Sequence, residues 1–357
     1  MSDVIKIFII DDSAIVRTTI ASLVQSEHSI ELIGSANDPI IAMEKFSKYG
    51  WPDVIILDIE MPRMDGLTFL RKIMCEHPIP VIICSSVAQK GSKNAIEALS
   101  LGALEIMTKP EVGVRDFLED SKNMFISAIK AAFLAKNKIK IATDIATITP
   151  GNLVSFSADA IIAKKNTVVP STHNIIAIGS STGGPQTLEG IIKSLPANAS
   201  PTVIVQHMPA GFTKSLAERL DKLCAVTVKE AEHGDRLLQG RVLLAPGDKH
   251  MIVKRVGGSY IAEIKDGPKV NRHKPSVDVL FRSCANEAGS NAIGIILTGM
   301  GDDGARGMKE MFDVGAKTYA QDEKSCIVYG MPKEAVAFGG VTRSTTLSEI
   351  IEIIKKG

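Results

Sequence analysis

Residues 5–25, IKIFIIDDSAIVRTTIASLVQ, carry the reading that decides the fold. IKIFII is a short, unbroken apolar run, as a strand buried on both faces requires. Asp11 and Asp12 end it, and SAIVRTTIASLVQ then takes up helical periodicity. Working outward, DVIIL (53–57) and PVIIC (80–84) repeat the strand pattern, GLTFLRKIMCEH (66–77) repeats the helical one, and a helix-like stretch from Val114 to Lys136 closes the unit. Strands alternating with helices predict an α/β, doubly wound domain: a mainly parallel sheet covered on both faces, over residues 1–136.

From Asn137 to Thr172 the pattern changes. KNKIKIATDIATITPGNLVSFSADAIIAKKNTVVPST (136–172) has no sustained apolar face and is rich in Ser, Thr and Asn, so it reads as a linker with a short helix near Asp159–Lys164. Residues 173–357 then resume the alternation. NIIAIG, TVIVQ, RVLLA and AIGIILTG are strand-like, with the helical segments TLEGIIKSL, TKSLAERLDKL and SVDVLFRSCANEA between several of them. A second mainly parallel, doubly wound α/β domain of Rossmann-like form is expected. VLLAPG, HMIVKRVGG and YIAEIKDG lie close together and suggest some antiparallel pairing in its middle.

Composition narrows the function. At 357 residues there is room for two ordinary cores. Lys and Arg total 41 against 40 Asp and Glu, so no general attraction to nucleic acid follows. Five scattered cysteines form no CxxC pair, and the odd count argues against a disulfide framework, which points to a reducing cytoplasm. No apolar run is long enough for membrane insertion.

Polar residues follow four of the expected strands in the first domain: Asp11 and Asp12, Asp58, Ser85, and Lys109. The carboxyl ends of strands in an open α/β sheet line a ligand crevice, so three carboxylates, a hydroxyl and an ammonium should converge there. Clustered carboxylates suit a hard divalent cation, with Mg²⁺ the expected occupant at Asp11, Asp12 and Asp58. Asp58 could then accept a phosphoryl group, with Lys109 and the metal neutralising its oxygens and Ser85 bonding to them afterwards. Singly, each residue has a plainer reading: Asp12 as a helix N-cap, Ser85 as a strand-end hydroxyl, Lys109 as a solvated loop charge. Their order along one sheet edge is far harder to obtain by accident. IIDDSAIVR, DVIILDIEMPRMDGL, PVIICSS and MTKP resemble the receiver domain of response regulators, over roughly residues 1–133. The resemblance implies a flavodoxin-like fold, phosphorylation at Asp58 and a histidine kinase as phosphodonor. Ile106 departs from the pattern, standing where many receivers carry an aromatic residue.

In the second domain, Gly179-Ser180-Ser181-Thr182-Gly183 satisfies G-x-S-x-G between a strand and a helix. Such a turn exposes its central serine, Ser181, near a helix amino terminus that favours a developing oxyanion. A phosphate-binding loop fits poorly, since GSSTGG lacks both the G-x-G-x-x-G spacing and a Walker lysine. A purely structural glycine turn is the plain alternative. Among seven histidines, His207 stands at the end of TVIVQ, facing the same crevice as Ser181, whereas His233, His250 and His273 lie in less regular sequence. Asp302 and Asp303 follow AIGIILTGMG, and either could orient the base while the other caps a helix. IGSSTGGP, QHMPAGFT, HGD, APGDKHM, RHKPSVDVLF and LTGMGDDGARGM resemble the chemotaxis protein-glutamate methylesterases across about residues 173–350. That resemblance implies Ser181 as nucleophile, His207 as base, Asp303 as orienting acid, and backbone oxyanion donors at Thr182 and Met300, with no cofactor at the esterase site. It further implies hydrolysis of glutamyl methyl esters and deamidation of glutamine on methyl-accepting chemoreceptor helices, under control of the receiver. Asp302 is a departure, since relatives often have Asn there. A non-enzymatic, phosphorylation-dependent binding regulator is the alternative reading.

Overall fold

The computed structural model describes residues 4–86, 89–110, 115–139, 156–165 and 174–356. The chain divides into two compact units, Met1–Thr147 and Ile148–Gly357. In the first, β1 (Ile5–Ile10), β2 (Ile30–Ala36), β3 (Val54–Leu57), β4 (Val81–Ser85) and β5 (Glu105–Thr108) form one sheet in the order β2-β1-β3-β4-β5. Every pairing is parallel. The runs IKIFII, VIIL and VIICS are buried almost throughout, because helices cover both faces of the inner strands. β2, IELIGSA, is the strand that hydrophobic runs miss: it is an edge strand, half-exposed along most of its length. The helix after β1 is capped by Ser13, whose hydroxyl accepts from the Val16 N–H, so Asp12 is freed from the capping role open to it in the sequence.

The second unit contains β6 (Ile175–Ser180), β7 (Thr202–Gln206), β8 (Thr227–Glu230), β9 (Arg241–Leu244), β10 (His250–Val256), β11 (Ser259–Lys265), β12 (Ala292–Ile296), β13 (Lys317–Gln321) and β14 (Arg343–Thr345). Seven strands make a parallel sheet in the order β14-β13-β12-β6-β7-β9-β8. Of the three segments expected to pair antiparallel, only β10 and β11 do so. VLLAPG instead supplies β9, buried inside the parallel sheet between β7 and β8. β6 has later strands on both sides, β7 and β12, which makes its carboxyl end a topological switch point and a natural crevice.

Two helices beneath that crevice cap one another. Asp303, just before the Ala305–Asp313 helix, accepts from Val277 N (2.7 Å) and Asp278 N (3.2 Å) at the start of the Val277–Glu287 helix. Asp278 in turn accepts from Gly307 N (2.7 Å) in the first turn of the other. Each carboxylate thus meets the positive end of its neighbour's dipole.

Part of the expected linker belongs to this unit. Residues 156–165 lie against the Val277–Glu287 helix, and the expected short helix is a single 3₁₀ turn at Ala158–Ala160. Residues 140–155 and 166–172 of the linker lie outside the described residues.

Gly66 begins the helix after β3, where an added Cβ would stand 2.2 Å from the Asp58 carbonyl oxygen and 2.7 Å from Ile59 Cα. Gly66→Ala should therefore destabilise the first unit by about 1–3 kcal/mol, as overpacking against rigid backbone does. Chemical denaturation checks this.

Candidate active sites

The strand ends of the first unit bring Asp11, Asp12 and Asp58 together, with one carboxylate oxygen of each lying within 4.8 Å of the others. Lys109 follows β5 and places its ammonium 2.7 Å from Asp58 Oδ2 and 3.0 Å from Asp11 Oδ2. Asp58 Oδ1 accepts from Ile59 N at 2.7 Å, and Asp11 Oδ1 accepts from Ser13 N at 2.9 Å. The two Oδ2 atoms are buried and find no well-directed hydrogen-bond donor. Burial pushes the Asp58 carboxyl up to about 6 despite Lys109, and pushes Asp11 up as well. Lys109 is itself pulled down by burial, but the two carboxylates outweigh this and hold it above its usual range. Hard oxygen donors with open lone pairs fit a divalent cation such as Mg²⁺. Ser85 is buried at the end of β4, opposite Thr108 in the parallel register. Ile106 is buried in β5, as its departure from the aromatic pattern allows.

In the second unit the three candidate turns follow β6, β7 and β12, which are adjacent. Ser181 is held by its backbone: its N–H donates to Thr298 O (3.0 Å), and its carbonyl accepts from Gly184 N (2.7 Å) and Gln206 Nε2 (3.0 Å). Gly183 sits at φ 75°, a left-handed conformation that lets strand become helix within the turn. A Cβ on Gly299 would lie 2.7 Å from the Ser181 Cβ, so a glycine on β12's turn clears space for the serine. His207 is tied to the same turn by its N–H, which donates to Ser180 O at 3.0 Å.

His207 Nε2 lies 2.8 Å from Asp303 Oδ2. Nδ1 of the same ring is buried and without a hydrogen-bond partner, so no hydrogen bond joins Ser181 and His207 in this state. Asp303 also accepts from Ser276 Oγ (2.8 Å), Val277 N, Asp278 N and Asn271 Nδ2 (3.2 Å). Burial alone would raise its pKa, but these donors and His207 hold the carboxyl below its ordinary range. Asp278 shows the converse: burial, then the Asp303 charge, raises it. Asp302 points elsewhere, half-exposed and 3.4 Å from Arg272. Of the two adjacent aspartates, Asp303 is the one at the histidine. Thr182 is buried in the serine turn, and Met300 lies in the turn after β12.

Of the weaker histidine candidates, His250 is buried and bonded to Pro268 O at 2.9 Å. His273 stacks flat on His207, with ring centroids 3.7 Å apart and planes 4° off parallel. Burial, then the neighbouring His207, holds His273 well below the usual histidine range, which keeps it a neutral cover. Asn271, Ser276 and Asp278 are site residues that the spacing argument missed. Their signal was the polar cluster N-R-H-K-P-S-V-D, which no single-residue chemistry singles out.

Comparison with known proteins places both units in known families. Residues 176–354 match the CheB methylesterase family model, and residues 7–119 match the response regulator receiver domain. A protein-glutamate methylesterase/protein-glutamine glutaminase 2 of Dechloromonas aromatica is 53% identical over 98% of this chain and 97% of its own. A homologue of the same description from Photobacterium profundum, numbered 1, is 53% identical over 97% and 98%. The CheB methylesterase catalytic domain of Thermotoga maritima superposes with a TM-score of 0.51 at 41% identity, covering 52% of this chain and 98% of that one. The chain belongs to the CheB methylesterase family, with a response regulator receiver domain ahead of its esterase domain.

Proposed function

We propose that the chain hydrolyses glutamyl γ-methyl esters, and deamidates glutamine, on the cytoplasmic helices of chemoreceptors. Phosphorylation of Asp58 by a chemotaxis histidine kinase switches this activity in sensory adaptation. The observation that carries the esterase reading is the His207–Asp303 pair at 2.8 Å, buried beside the serine turn with Nδ1 left open. An imidazole held by a carboxylate at one nitrogen and unbonded at the other, next to a serine turn, is the arrangement a general base needs.

The His207–Asp303 geometry supports acyl transfer through Ser181. Asp303 accepts from Nε2–H, which fixes the tautomer and leaves Nδ1 as the base. Ser181 Oγ attacks the ester carbonyl carbon while Nδ1 takes its proton. Backbone N–H groups of Thr182 and Met300 receive the developing oxyanion. The imidazolium returns the proton to the departing methoxide, and methanol leaves. Water, deprotonated by His207, then releases glutamate and restores Ser181. With a glutamine side chain the leaving group is ammonia.

In the receiver, Asp11, Asp12 and Asp58 would hold Mg²⁺, which when bound offsets the charge of the incoming phosphoryl group. Asp58 Oδ2 is the nucleophile, Lys109 pairs with the transferred phosphoryl oxygens, and Ser85 bonds to one of them afterwards. A tenfold activation needs only about 1.4 kcal/mol of differential free energy.

Methanol release from methylated chemoreceptor membranes should fall about 10⁴-fold or more in Ser181→Ala. The Ser181→Ala/His207→Ala double variant should be little worse, because the two act as a unit. Ser181-independent release would refute the assignment. Asp58→Asn, or chelation of Mg²⁺ with EDTA, should abolish the rise produced by a small-molecule phosphodonor while leaving basal release intact. A donor response that survives both treatments would rule out switching through Asp58.

A further inference from the structure

The described part of the linker is fastened to the turn that holds the catalytic pair. Val270 and His273 exchange both backbone hydrogen bonds (3.0 and 2.9 Å), which closes a two-residue turn at Asn271 and Arg272. Both turn residues take positive φ, 47° and 72°, as the tight hairpin turns that match strand twist require. From this turn the Asn271 amide reaches Asp303 on one side, and His273 covers the His207 ring on the other. Asn271 is buried, and its backbone N–H donates to the carbonyl of Phe156, at 3.1 Å. Phe156 opens the 156–165 segment and bridges to Val270 in parallel.

The rest of the segment is pinned at several points. Ala158 is buried with Ile252, Val270 and Val279, and Ile161 and Ile162 pack against them. Gly267 leaves room for Ile161, whose Cδ1 would lie 2.3 Å from a Cβ there. Arg282 is buried and reaches Asp159 Oδ1 at 2.6 Å and Ile162 O at 3.2 Å, while its other edge pairs with Glu310 at 2.6 and 2.8 Å. Asn286 accepts from Lys165 N (2.8 Å) and donates to Ala163 O (2.9 Å). A passing tether needs none of these bonds.

We propose that residues 156–165 are a positioning element of the esterase: docked on the Val277–Glu287 helix, they fix the Asn271–Arg272 turn and through it the His207–Asp303 pair. The assignment rests on the triad reading above. Undocking the segment strips the Asn271 N–H of its acceptor in a buried place, so the turn relaxes to find another. Asp303 then loses a donor and His207 its cover, with His207 displaced from its line to Ser181. Misplacement on the scale of an ångström costs up to about 10²-fold in rate.

The test uses the full-length protein and a soluble peptide bearing a glutamyl γ-methyl ester. Asp159→Ala removes the outer partner of Arg282, which keeps Glu310, so the fold survives. Ala158→Glu forces a charge into the buried contact. Lys309→Ala, which breaks an exposed helix ion pair with Asp313, is the control. Hydrogen exchange at residues 158–165 verifies release of the segment. The expected result is a kcat lower by about tenfold in Asp159→Ala and up to about 10²-fold in Ala158→Glu, with KM little changed. The acid limb of the pH–rate profile should move, and Asp159→Glu should restore it. Wild-type kcat and an unmoved pH profile in variants whose segment exchanges freely would overturn the proposal alone. Absence of Ser181-dependent hydrolysis in the wild type would overturn it together with the triad.

Discussion

A carboxylate buried as deeply as Asp303 is tolerable only when its lost hydration is replaced donor for donor. The esterase half is organised around that replacement. A serine hydroxyl, two helix-end N–H groups, a side-chain amide and the histidine ring all donate to one aspartate. Three of these come from the start of the Val277–Glu287 helix, so the helix that closes the core also anchors the charge beside His207.

The receiver treats its central carboxylate in the opposite way. Asp58 is nearly as buried, yet it has one close backbone donor and a lysine shared with Asp11. Burial raises its proton affinity and Lys109 offsets this only in part, whereas at Asp303 the His207 ring and the backbone donors outweigh the same burial. The difference fits the two tasks proposed for them. An orienting group should hold its charge unchanged, while an acceptor must keep a lone pair available for a metal or a phosphorus atom. The same side chain serves both ends through the number of donors around it.

Much of this was legible in the sequence. Buried parallel strands announce themselves as apolar runs, and the residues just after them must lie at one sheet edge, which is why Asp11, Asp58, Lys109, Ser181, His207 and Asp303 could be located. Edge strands were less legible: β2 and β8 are partly solvated and carry mixed patterns. β9 was readable as a strand, but its direction depends on neighbours far away in sequence. The residues alone left Asp302 and Asp303 both open and only the resemblance favoured Asp303; the contacts of Asp303 with Ser276 and Asn271, and those of His273 and Asp278, are tertiary and no local period encodes them. The linker misled for a similar reason, since Ala158 and Ile161 find their partners more than a hundred residues on, in Val270 and Val279.

That docking bears on how such proteins diversify. A gene fusion that exchanges the sensory input inherits whatever lies downstream of the crossover point. Cut just before β6, at the boundary that composition suggests, the transplanted enzyme would arrive without the Phe156 carbonyl and the Asp159 carboxylate. Cut upstream of Phe156, it carries its own brace with it. On the positioning role proposed above, the heritable unit of catalysis would begin inside what looks like spacer, and selection on that spacer would act on its last ten described residues as it does on an enzyme core.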